Sequence, residues 1–255
     1  MILLDFRNWI FDKSLGVLPN AQKELLQRDL DTLAKAADLE ILNLGAIQPF
    51  SISSLIFKNE EQIAVSAIKK VSDYYSVIDL ILEKENKEVV DYTEAVEEGV
   101  YFYGQNSLVA HSVSEIALCG INSFTDESLF EEYCEDFELT PFSFELPDDL
   151  LTSDIACFIG DTLLICLEYI TDKKVKKELF SFVKIHGIKI VTFTKQQVLQ
   201  GILNVKYTGE KLLLTKKAFD LCTTEQKKAL SETELEVIAF PFLEKVGVRL
   251  RDVIL

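Results

Sequence analysis

The chain has 255 residues, 48% of them hydrophobic, with 17 Phe against 10 Gly and 5 Pro; this composition fills a sizeable core and excludes a disordered or low-complexity chain. Its 42 acidic and 26 basic residues give a formal net charge of −16, which repels a phosphate backbone at long range and makes direct nucleic-acid binding on the outer surface an unfavourable reading.

In chain order, residues 1–4 and 9–11 read as short strands, 20–37 as a helix with apolar positions on one face, and 39–44 as a strand. Asp5 follows the opening apolar residues with no positively charged lead, so this stretch does not read as a signal peptide. Next, 54–58 and 62–66 flank the turn Asn59-Glu60-Glu61, a helix falls within 71–84, and 88–92 reads as a strand. Residues 99–103 and 107–111 flank Gly104-Gln105-Asn106, followed by a helix over 126–135 and a strand over 139–144. The clearest unit comes after it. Strands 154–159 and 162–167 meet at Gly160-Asp161, Thr171-Asp172 caps a helix from Lys173 to Ile185, His186-Gly187 ends it, and 188–193 is a strand. Finally, 201–207 and 211–215 flank Thr208-Gly209-Glu210, with a helix over 224–231 and a strand over 236–240.

The order strand, strand, helix, strand thus recurs, with turns near 60, 105, 160 and 209. A fixed order at this period marks units that each cover a neighbour. The chain reads as a single α/β domain of five repeats, residues 1–45, 46–94, 95–146, 147–195 and 196–255. Five cysteines, an odd count with no clustered pair, fit reduced thiols in the cytoplasm or another reducing intracellular compartment. No apolar run reaches the roughly 18 residues of a membrane span, because Gly160-Asp161 and Glu168 interrupt the best one.

The repeat resembles the pentein fold, a pseudo-five-fold α/β propeller found in arginine deiminases, dimethylarginine dimethylaminohydrolases, amidinotransferases and a non-catalytic ribosomal anti-association factor. The tail from Gly247 to Leu255 is similar to the segment that carries the nucleophilic cysteine in the hydrolases. That resemblance implies a thiolate attacking a guanidinium carbon, a histidine moving protons and carboxylates holding the cationic substrate. Here Leu250 stands near the cysteine's place, and the late repeats open on Leu150-Leu151-Thr152-Ser153 and Val198-Leu199-Gln200-Gly201 without a histidine. Glu97-Glu98-Gly99 is a faint echo of the acidic Gly-Gly substrate motif.

These gaps lead to the expectation of a non-catalytic pentein-like protein that binds a protein or ribonucleoprotein partner, with no catalytic residue assigned. One alternative is a guanidine-modifying hydrolase or amidinotransferase with relocated groups, Cys119 or Cys222 supplying the thiol and His111 the base. Another is an acidic, ring-forming clamp. No Asp or Glu lies locally to orient His111, and His186 sits at a helix end where a polar ring suits the dipole, so both read as structural. Two histidines and unclustered cysteines give no metal site, and phosphate- and dinucleotide-binding glycine motifs are absent, so no cofactor is expected. The run Lys173, Lys174, Lys176 and Lys177 reads as a solvated helix face.

Overall fold

The computed structural model of the protein describes residues 2–5, 20–37, 40–43, 50–245 and 247–255. Two units emerge, one contiguous (Ser53–Leu199) and one drawn from both ends of the chain (Met1–Ile52 with Gln200–Leu255).

The chain opens with β1 (Ile2–Asp5), α1 (Asn20–Ala37) and β2 (Glu40–Asn43), the two strands running parallel. Leu26, Leu30 and Leu33 of α1 are buried; their spacing puts them on one helical stripe, which is why the helix was legible from sequence. The expected strand at 9–11 lies outside the described residues.

The contiguous unit holds three copies of one pattern. The first comprises α2 (Ile52–Leu55), β3 (Ile56–Lys58), β4 (Gln62–Val65), α3 (Tyr75–Glu85) and β5 (Glu88–Asp91). The second runs α4 (Gly104–Ser107), β6 (Leu108–His111), β7 (Ile116–Ile121), α5 (Glu127–Asp136) and β8 (Thr140–Glu145). The third is α6 (Thr152–Ile155), β9 (Ala156–Ile159), β10 (Thr162–Ile165), α7 (Lys173–Ile185) and β11 (Lys189–Thr192), followed by the short helix α8 (Lys195–Leu199). In each copy the second strand is central, antiparallel to the strand before it and parallel to the one after the helix. A parallel neighbour requires a crossover, and the helix supplies it. The central strands β4, β7 and β10 are almost wholly buried, which explains their unbroken apolar runs.

The remaining elements repeat the pattern: β12 (Val205–Tyr207), β13 (Lys211–Thr215), α9 (Lys216–Leu221), α10 (Thr224–Leu230) and β14 (Glu234–Ile238), then α11 (Pro241–Lys245) and α12 (Leu250–Val253). Again β13 is central. After α12, Ile254 forms an antiparallel bridge with Leu3 of β1. The sheet of β1 and β2 therefore takes its antiparallel neighbour from the tail.

The α/β class and the strand-strand-helix-strand order stand, with four three-stranded sheets and one two-stranded sheet among the described residues. One hairpin was misplaced by the sequence reading. Residues 99–103 are not a strand, and 104–107 form the helical turn α4 rather than a hairpin turn. Gly104 (φ +47°) marks close packing: a Cβ there would lie 2.8 Å from both the Ser53 carbonyl oxygen and Ser66 Oγ. The real hairpin turn is Ser112–Ser114, closed by Glu115 in the left-handed region (φ 51°).

Two apolar clusters fill the contiguous unit. In one, Tyr133 is fully buried, stacks on Tyr92 at 3.9 Å between ring centroids and donates its hydroxyl to Ser66 Oγ. Each such aromatic contributes about 1.5–3 kcal/mol by burial, and the hydrogen bond removes the penalty of an unpaired phenol.

Candidate functional site

The one-turn helices α2, α4, α6 and α12 each end where a first strand, or the tail residue that bridges to β1, begins. In three of them a side chain near the end of the turn accepts the backbone N–H at its start: Ser107 Oγ from Tyr103, Asp154 Oδ2 from Leu151 and Asp252 Oδ2 from Arg249. These bonds satisfy donors that a short helix leaves open. Side chains also tie successive turns together. Asn106 Nδ2 donates to Ser54 Oγ at 2.7 Å, and Ser153 Oγ donates to Asn106 Oδ1 at 2.9 Å. Thr152 Oγ1 accepts from Gly120 N at 2.7 Å and donates to the Ser107 carbonyl. In the other unit, Asn204 Oδ1 accepts from Leu250 N at 2.8 Å.

The candidate residues fall as follows. Leu250 is fully buried at the start of α12, so the tail presents an aliphatic side chain where the resemblance implies a thiol. Cys119 is fully buried on β7 and donates to the Ser107 carbonyl at 3.1 Å. Burial pushes its thiol well above the usual range, the opposite of what a nucleophile requires. Cys222 is buried as well, its thiol 3.4 Å from the Ala218 carbonyl and likewise raised by burial.

Cys119 pairs with Leu108 in the β6–β7 ladder whereas His111 pairs with Ile116. Three residues separate the two positions, about 10 Å along the strand and on opposite faces. The structure does not bring Cys119 and His111 together.

His111 has a different neighbourhood. Its ring is buried against Phe158 at 5.3 Å, Nε2 lies 3.5 Å from Asp161 Oδ1, and Nδ1 accepts the N–H of Ser114 at 3.1 Å. The sequence reading looked for a carboxylate near His111 along the chain; the structure places Asp161 beside it instead, from the β9–β10 turn one repeat later. On β9 lies Cys157, the one cysteine of the five that is not buried. Sequence reasoning passed over Cys157 and Asp161. The signal available was the repeat itself, which sets the first strands β6 and β9 side by side. His186 caps the end of α7 with Nδ1 2.8 Å from the Phe182 carbonyl, as its structural reading implied.

A cleft of about 410 Å³ opens between β8 and the N-termini of α5 and α7, lined by Glu127, Glu145 and Asp172 with Phe144, Ile170 and Val175. Two of its carboxylates have protein partners: Glu127 accepts from Ser143 Oγ at 2.6 Å, and Asp172 accepts from Lys174 N at 2.6 Å as the helix cap. Among the described residues no group of His, Cys, Asp and Glu could hold a metal ion, and no helix is long and apolar enough to cross a membrane.

The family model for N,N dimethylarginine dimethylhydrolase, eukaryotic, matches residues 69–247. Several solved structures are similar. The N-terminal domain of ArgZ, an arginine dihydrolase from the ornithine-ammonia cycle in cyanobacteria, was solved with substrate bound. It superposes with a TM-score of 0.72 at 11% identity, over 96% of this chain and 92% of that one. The DDAH from Pseudomonas aeruginosa, complexed with citrulline, gives 0.68 at 10% identity over 99% and 96% of the two chains. AgrE, in a ternary complex with ornithine and NAD+, gives 0.71 at 10% identity over 97% of this chain and 37% of that one. At such identities the likeness is one of fold. No curated protein sequence matches the chain.

The family match overturns the expectation of a non-catalytic binding protein, and the clamp alternative falls with it. That expectation rested on the tail and on the openings of the late repeats. Empty positions there describe one placement of the reacting groups and do not test any other.

Proposed function

The chain belongs to the N,N dimethylarginine dimethylhydrolase family, within the pentein superfamily, and on that premise we propose that it is a guanidine-modifying hydrolase acting on an arginine-like substrate. The observation that carries this reading is the family match over residues 69–247. In such a reaction a thiolate adds to the guanidinium carbon, the C–N bond to the leaving amine breaks as that amine takes a proton, and water then displaces the sulfur to leave a ureido product.

With Leu250 in the tail, the thiol has to come from elsewhere. We assign it to Cys157, because it is the one thiol that is partly exposed to solvent, the other four being buried. The imidazole of His111, held between Asp161 and the Ser114 N–H, packs on Phe158 of β9, which points to the face opposite Cys157, so His111 is not assigned as its base. The chain's excess of acidic residues favours the approach of a cationic substrate.

Incubation of the purified protein with arginine, agmatine and N,N-dimethylarginine tests the proposal, with ureido product and released amine measured together. Turnover of at least one substrate, abolished by Cys157→Ser and retained in Cys222→Ser, is the expected result. Absence of turnover on all three defeats the hydrolase reading, and turnover that survives Cys157→Ser defeats the assignment of the thiol.

A further inference from the structure

The crossover helices of two successive repeats in the contiguous unit carry opposite charge. On α5, Glu127, Glu131, Glu132, Glu135 and Asp136 are all exposed, and the helix has no basic residue. On α7, five lysines stand against the single Glu178, and Lys173, Lys174, Lys177 and Lys184 are exposed. Both helices pack on β8: Glu127 of α5 accepts from Ser143 of that strand, and the Phe182 ring of α7 lies 5.2 Å from that of Phe142. An acidic face and a basic face thus flank one strand. Within the basic face are apolar side chains that the fold leaves uncovered, Phe180 at 43% and Ile185 at 81% exposure.

We propose that this α5–α7 face is a self-association surface whose occupant is a second copy of the chain. A two-fold axis over β8 sets each α7 against the partner's α5, so that both opposite-charge pairings form at once and the interface closes on itself. Like-charged helices would repel under the same operation; these do not. The net charge of −16 on each copy opposes approach, but that field decays over roughly 8 Å at physiological ionic strength, whereas the helix charges meet in contact. Single exposed ion pairs are weak, and burial of Phe180 and Ile185 supplies the apolar centre that such an interface needs.

Sedimentation of the purified protein at about 50 mM and about 500 mM salt reads this directly. The expected result is a concentration-dependent dimer at low salt that becomes monomer at high salt. Lys173→Glu/Lys177→Glu and Glu131→Lys/Glu132→Lys should each give monomer, and an equimolar mixture of the two variants should restore a heterodimer, because each then offers the face the other lacks. All four positions are exposed, and an unchanged thermal melt checks that the variants fold. A wild-type monomer at low salt, a dimer indifferent to both reversals, or a mixture that stays monomeric overturns the proposal.

Discussion

Replacing Thr152 with valine keeps the side chain's shape and removes one hydroxyl. Thr152 is fully buried, and that hydroxyl accepts the Gly120 N–H and donates to the Ser107 carbonyl. Without it the buried Gly120 N–H loses its partner, at about 1–3 kcal/mol. The Ser107 carbonyl keeps the Cys119 thiol at 3.1 Å, so the loss on that side is a single hydrogen bond, about 0.5–1.5 kcal/mol. Together Thr152→Val should cost about 2–4 kcal/mol, a sizeable part of the roughly 5–15 kcal/mol by which a domain is stable. Urea titration measures it as a lower midpoint at unchanged slope. Thr152→Ser should recover most of the loss. Because Thr152 and Cys119 share one acceptor, the double variant Thr152→Val/Cys119→Ala should cost more than the sum of the two single changes, by about 0.5–3 kcal/mol. A single-variant cost below about 0.5 kcal/mol, or strict additivity, refutes the assigned network.

Three further outcomes are expected. Gly104→Ala should destabilise by at least about 1 kcal/mol more than Gly160→Ala in urea titrations: both residues have positive φ, but a Cβ at 104 meets backbone oxygens whereas one at 160 meets nothing within 4 Å; equal costs would sink the close-packing account. Iodoacetamide followed by peptide mass mapping should label Cys157 before the other four thiols, since those are buried, and first labelling at Cys119 would contradict the burial. Burial raises the Cys119, Tyr92 and Tyr133 values and pushes Cys134 up to about 12. A raised folded value means that this stability is whole below the ordinary thiol value of 9.0 and is lost as pH rises toward the folded values. Urea midpoints should therefore fall between about pH 8 and 10.5, and a flat profile counts against the burial.

Much of the architecture was legible because its signals are local. Asp172 caps its helix as its position before an apolar periodic stretch indicated, and Gly160 and Gly209 occupy turns at positive φ. The errors arose where a residue's role depended on a distant neighbour. Gly104 reads as a turn glycine until the Ser53 carbonyl is placed against it. The β6–β7 turn has no glycine, so the apolar run of β7 gave no hint of where its hairpin began. The same holds at the site: Asp161 is 50 residues from His111 in sequence and 3.5 Å from it in space. The tail was read for the thiol it lacks, and that reading could not weigh a thiol on β9.

The bridge between Leu3 and Ile254 also bears on how the protein is made. The unit Ser53–Leu199 is contiguous, so its strand pairings form between segments close in sequence and are available while the remainder is still being synthesised. β1 waits for its antiparallel neighbour until Ile254 has been made. During that interval the edge of β1 that Ile254 later covers is open to pairing with other chains.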